Sequence, residues 1–247
     1  MNSFKWIEAK SYNDMSRLGA ELFIQQLQEK PASVLGLATG GTPEGLYEEL
    51  VRNYNDGKIT FEQAVTFNLD EYVGVPVTNK GSYHYYMDEQ LFQHVNMQSN
   101  NINIPNGNVT DLNASAEAYE ALIQEAGGID LQLLGIGVNG HIGFNEPSTS
   151  FTSTTHIVEL TSSTREANQI YFEQPKDVPT HAITMGIQTI VQAKKIVVLI
   201  SGASKQEAYD RLRSGDISED FPASALHMHS DVTVIFTDIR NTQFSQE

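Results

Sequence analysis

Five short stretches of the chain carry groups able to move protons or hold an anion. Asp70 and Glu71 follow the apolar run Ala64 to Leu69 and so stand at the exit of a predicted strand, where a carboxylate can face a bound ligand. Successive residues of an extended segment face opposite sides, so at most one of the two is expected to face a cleft, and spacing leaves open which. His141 shares a glycine-rich loop with Asn139, Asn145 and Glu146, and a histidine oriented by a nearby carboxylate exchanges protons near neutral pH. Thr39-Gly40-Gly41-Thr42-Pro43 reads as a strand-to-helix turn in which Thr42 is expected to cap the helix and Pro43 to fill its first turn. Such a turn aims backbone N–H groups and the positive helix end at one point, which suits a phosphate. It lacks the Gly-Lys-Ser/Thr ending of a nucleotide loop. Arg165 and Lys205 each stand near the start of a predicted helix, and together they are expected to close a phosphate clamp.

Each group has a plainer reading taken singly: a well-capped helix, a solvated cation, a loop acid, a structural histidine. Their common position argues otherwise. Short apolar runs at Val34 to Ala38, Ala64 to Leu69, Leu131 to Ile136, His156 to Leu160, Lys195 to Ser201 and Val232 to Thr237 have the length and residue types of buried parallel strands. Between them, helical spacing covers Met15 to Gln28, Pro43 to Asn53, Tyr83 to Val95, Ala114 to Ala126, Ser163 to Tyr171, Met185 to Ala193 and Lys205 to Ser214. This alternation predicts an α/β fold, a single-domain doubly wound, mostly parallel sheet flanked by helices, over residues 1–247. Ligands of such sheets bind beyond the carboxyl ends of the strands, where the turns just named would converge.

Two further motifs are set aside. Gly135 to Gly140 matches the dinucleotide fingerprint GxGxxG, but the residues after it, with Pro147, two glycines and many hydroxyls, do not read as the required helix. His227-Met228-His229 precedes a strand rather than following one and reads as a solvated turn, not a metal site.

Composition narrows the classes. The 247 residues hold no cysteine, which removes disulfide frameworks, thiolate metal sites and cysteine nucleophiles together. A formal charge of -16, from 15 basic against 31 acidic residues, argues against general affinity for nucleic acid or an anionic membrane, so any bound anion must be held locally. No apolar run reaches the roughly 18 residues of a membrane span, and the start has neither the apolar core nor the cleavage site of a secretory signal. A cytoplasmic protein is expected.

Taken together, Thr39 to Pro43, Asn68 to Gly74, Gly140 to Pro147, Thr164 to Asn168 and Pro179 to Gly186 resemble the glucosamine-6-phosphate deaminases, in that family's order. The resemblance implies conversion of D-glucosamine 6-phosphate and water to D-fructose 6-phosphate and ammonia, without metal or organic cofactor. It implies Asp70 as the base that moves the C2 hydrogen towards C1, and His141 as the group that opens the sugar ring, assisted by Asn139 and Glu146. Thr39, Gly40, Gly41, Thr42, Arg165 and Lys205 would hold the phosphate. Some family members carry Asp where this chain has Asn139, so His141 is expected to depend more on Glu146 for orientation. The chain stops soon after the last predicted strand, and a monomer without allosteric activation is expected. The rival readings are a 6-phosphogluconolactonase, whose phosphate turn is similar, and a sugar-phosphate sensor without turnover, which would not need a proton-transfer set.

Overall fold

The computed structural model describes residues 3–169, 172, 174 and 177–239. Its main sheet has the order β1-β10-β9-β6-β2-β3-β5, from β1 (Ser3–Glu8), β2 (Val34–Leu37), β3 (Val65–Asn68), β5 (Ile102–Asn103), β6 (Leu131–Gly135), β9 (Ile196–Ser201) and β10 (Asp231–Thr237). Every pairing in it is parallel. Parallel strands need crossovers that cover both faces, and β2, β9 and β10 are accordingly apolar and buried almost throughout. The chain winds outward from β2 to β3 and β5 in one direction, and from β6 to β9 and β10 in the other. The reversal falls between β2 and β6, where the crevice of a doubly wound sheet opens.

The flanking helices begin where a side-chain oxygen can take an orphan backbone N–H. Ser11 caps α1 (Tyr12–Glu29), Ser82 caps α3 (Tyr83–Gln90), Asp111 caps α4 (Leu112–Glu125) and Thr161 caps α5 (Ser162–Asn168). Helix α2 (Glu44–Asn55) departs from the sequence expectation: Pro43 itself holds the cap position and no side chain caps it, so Thr42 is left outside the helix. The helix expected over Ser163 to Tyr171 is seen as α5, and Tyr171 lies outside the described residues. Short α6 (Ile187–Val191) and α7 (Gln206–Ser214) complete the set among the described residues.

A second sheet corrects one strand placement. His156 to Leu160 was expected as a buried parallel strand, but β7 (His156–Glu159) pairs antiparallel with β8 (His181–Thr184), which pairs antiparallel with β4 (Asp70–Tyr72). Its residues are half-buried or exposed, since an edge strand of a small sheet needs only one apolar face. The strand following Asn68 is therefore not a loop but the start of β4, and it carries Asp70 directly out of the main sheet into this smaller one.

Close backbone approach ties the end of the second sheet to the segment that enters it. At Gly186, before α6, an added Cβ would lie 2.2 Å from the carbonyl oxygens of both Ser153 and Thr154. Backbone cannot retreat as a side-chain end can, so Gly186→Ala is expected to destabilise the fold by about 1–3 kcal/mol, read as a lowered midpoint in chemical unfolding.

Candidate active site

A cleft of about 430 Å³ opens at the reversal point of the sheet, lined by the exits of four parallel strands. From β2 come Thr39, Gly40, Gly41 and Thr42; from β3 come Leu69 and Asp70; from β6 come Asn139, His141 and Glu146; beyond β9 comes Lys205. Nine of the ten residues singled out from sequence thus meet in one cavity. Arg165 does not line it, although its neighbour Thr164 does. The expectation rested on a strand exit in the main sheet, whereas α5 follows β7 of the second sheet. In addition, one step along a helix turns a side chain by about 100° away from its neighbour. The guanidinium of Arg165 donates instead to the Val178 carbonyl at 3.5 Å, and its buried Nε has no partner among the described residues.

The two adjacent carboxylates have opposite surroundings. Glu71 accepts from the backbone N–H groups of Tyr72 (2.8 Å), Tyr83 (3.1 Å) and His84 (3.0 Å), and its Oε2 lies 2.8 Å from His84 Nδ1. It is a buried anchor for the amino end of α3, where the helix dipole favours an anion. Asp70 is also buried, yet its carboxylate accepts no hydrogen bond among the described residues. Burial, and then the negative charge of Glu71, push its pKa up to about 8. Gly143, at φ 57°, allows the His141 loop to pass close by: a Cβ there would stand 2.8 Å from Thr184 Oγ1 and 3.4 Å from Asp70 Oδ2. Asn145 fixes this loop, donating to the carbonyls of Ile142 and Met185 at 2.8 Å each.

The histidine is oriented differently from the expectation. Asn139, not Glu146, is its direct partner: Asn139 Oδ1 lies 2.8 Å from His141 Nδ1, whereas the nearest Glu146 oxygen is 3.7 Å away. Asn139 Nδ2 donates to Glu146 Oε2 at 2.6 Å, and Thr164 Oγ1 donates to the other carboxylate oxygen at 3.1 Å. A carboxylate only accepts, so the amide nitrogen must face Glu146 and the amide oxygen must face the ring. The proton therefore sits on Nδ1, and Nε2 presents a lone pair. Burial lowers the imidazole pKa, the charge of Glu146 opposes this, and nearby Lys205 adds to it. Burial likewise lowers Lys205.

Tyr83 also lines the cleft, its hydroxyl 3.2 Å from that of Tyr72. Sequence reasoning missed it and Thr164 as site residues, because both face the cleft only through the packing of α3 and α5. The motifs set aside on sequence grounds stay so. No helix opens at Gly140, and His227 and His229 bond the Leu212 and Ala193 carbonyls at 2.7 and 2.6 Å. His229 is buried, so that segment is a structural pin rather than a solvated turn.

Fold and site together define a class of sugar-phosphate enzyme, and comparison with known proteins agrees. Residues 9–235 match the family of glucosamine-6-phosphate isomerases/6-phosphogluconolactonase, and the chain belongs to that family. Within it, the chain is 57% identical to the glucosamine-6-phosphate deaminase of Lysinibacillus sphaericus (strain C3-41), over 94% of this chain and 98% of that protein. It is 52% identical to glucosamine-6-phosphate deaminase 1 of Bacillus subtilis (strain 168), over 94% and 96%. The solved structure of a monomeric glucosamine-6-phosphate deaminase superposes with a TM-score of 0.93 at 51% identity, covering 95% of this chain and 97% of that one. The 6-phosphogluconolactonase of Thermotoga maritima, at 20% identity over 95% and 100% of the two chains and a TM-score of 0.74, shares the fold.

Asp70 is expected to couple stability to pH. Its folded pKa of about 8 lies above the unfolded carboxylate value of about 3.9, so between these pH values the native state retains a proton that the unfolded chain has lost. On this account stability falls as pH rises through that window. Asp70→Asn removes the effect, so its Tm advantage over the parent protein is expected to widen from pH 5 to pH 8; a constant difference would contradict the assigned environment.

Proposed function

We propose that the chain converts D-glucosamine 6-phosphate and water to D-fructose 6-phosphate and ammonia, by isomerisation followed by loss of the amine. One observation carries this reading: a carboxyl that has no hydrogen-bond donor among the described residues and an imidazole of fixed tautomer share one cleft with a glycine turn and a lysine. A phosphate held by the turn amides of Thr39, Gly40, Gly41 and Thr42 and by Lys205 places the sugar between the two proton-transfer groups. Its binding energy keeps the sugar in register, while the chemistry takes place elsewhere on the molecule.

In the first step His141 Nε2 accepts the proton of the anomeric hydroxyl and returns it to the ring oxygen as the bond between C1 and that oxygen breaks. Asn139 holds the tautomer this requires, and Glu146 holds Asn139. Asp70, as carboxylate, then takes the C2 hydrogen and delivers it to C1 while a proton passes from the amine nitrogen to O1, leaving an imine at C2; water adds across that C=N bond, and the C–N bond breaks as ammonia leaves. Arg165 serves as a second cation by exchanging its long bond to the Val178 carbonyl for a phosphate oxygen, a stronger acceptor for guanidinium. None of these steps calls for a metal or an organic cofactor.

The lactonase reading is the weaker one, because lactone hydrolysis moves no hydrogen from carbon and gives a buried Asp70 no task. The sensor reading leaves Asp70 and His141 without a purpose. We further propose one catalytic domain acting as a monomer, as the 51%-identical relative is described. The proposed substrate supports a cytoplasmic setting, since a sugar phosphate dianion does not cross a membrane unaided. With a net charge of -16, the chain is expected to take no nucleic acid partner.

Asp70→Asn is expected to keep substrate affinity within about threefold and to abolish exchange of the substrate C2 hydrogen with deuterated solvent, followed by NMR. Retained exchange would remove Asp70 as the base, and failure of the parent protein to release ammonia from glucosamine 6-phosphate would end the proposal. Lys205→Ala is expected to raise KM about tenfold or more with a smaller drop in kcat, because its contact is alike in ground and transition states.

A further inference from the structure

The glycines of the phosphate turn allow its shape but cannot hold it. The peptide between Gly40 and Gly41 is flanked on both sides by residues without a Cβ, and Gly40 sits at φ 97° with open space where a side chain would project. Such a peptide can rotate at little steric expense, and rotation would replace an N–H at the anion by a carbonyl oxygen. Something outside the turn must fix its orientation.

Three tyrosines from three helices do so. Tyr86 of α3 donates its hydroxyl to the Gly40 carbonyl at 2.7 Å, and Tyr12 of α1 donates to the Gly41 carbonyl at 3.0 Å while accepting from the Gly45 N–H at 3.0 Å. Tyr47 of α2 donates to the Ala38 carbonyl at 2.5 Å. None of the three lines the cleft. Each carbonyl is thus drawn away from the cavity, and in a trans peptide the N–H of the next residue points the opposite way. The N–H groups so directed belong to Thr39, Gly41 and Thr42, and among the described residues they donate to no protein acceptor.

We propose that Tyr86 and Tyr12, with Tyr47 behind them, are positioning residues for phosphate: their hydroxyls lock the turn carbonyls outward so that consecutive amides face the anion. This rests on the phosphate reading of the cleft. Tyr86 matters most, because it restrains the peptide whose own dihedrals resist rotation least.

The test is Tyr86→Phe in the full-length protein, with Tyr12→Phe as a second variant at the other half-buried position. Inorganic phosphate serves as a competitive inhibitor, alongside KM, kcat and Tm. Loss of one such hydrogen bond is expected to raise both the phosphate inhibition constant and KM by about five- to thirtyfold, with kcat within about threefold and C2 hydrogen exchange retained at saturating substrate. A lowered Tm with unchanged phosphate inhibition and KM would make the hydroxyls merely structural and overturn the inference. If phosphate failed to compete even against the parent protein, the phosphate reading itself would fall, which is a different result.

Discussion

Two carboxylates next to each other in the chain share one supply of hydrogen-bond donors very unequally, and the site depends on that inequality. Glu71 takes three backbone N–H groups and a histidine nitrogen, which keeps a charge tolerable in the interior and fixes the start of α3. Asp70, facing the other way along β4, receives none among the described residues, and the anion beside it raises the energy of its own charged form. A carboxyl in this state has no competing ties and a basicity far above that of a solvated acid. Exchanging the two environments would leave a carboxylate already engaged by four donors facing the cleft.

The reversal of winding in the main sheet supplies the place where this asymmetry is useful. With β2 and β6 as neighbours and their onward connections leading apart, the loops beyond them splay and open the cavity. The short antiparallel sheet closes one wall. It pairs Asp70 with Thr184, and Thr184 Oγ1 accepts the Phe144 N–H of the histidine loop at 3.1 Å. Asp70 and the histidine loop are therefore held through one strand, which fixes their separation.

Asn139 shows how a neutral residue can do the work of orientation without that of charge. An aspartate in its place would favour the imidazolium, whereas the amide fixes the same Nδ1–H and leaves burial to depress the imidazole pKa. The chain from His141 through Asn139 and Glu146 to Thr164 is a hydrogen-bond relay with each donor and acceptor assigned by its neighbour.

Sequence by itself determined the alternation of strand and helix, and through it the edge at which function gathers. Asp70, His141, Lys205 and the turn at Thr39 to Thr42 were legible because residue types immediately after apolar runs need no long-range information. The same local reading could not choose between Asp70 and Glu71, since that depends on where α3 comes to rest. It placed β7 in the wrong sheet, and Arg165 with it, because an apolar run does not reveal its pairing partner. It credited Glu146 rather than Asn139 with holding the histidine, since distances within a loop follow from how the loop is tied down. Tyr12, Tyr47 and Tyr86 meet around one turn from three helices, and no spacing along the chain encodes that convergence; only tertiary packing brings their hydroxyls to the carbonyls they hold.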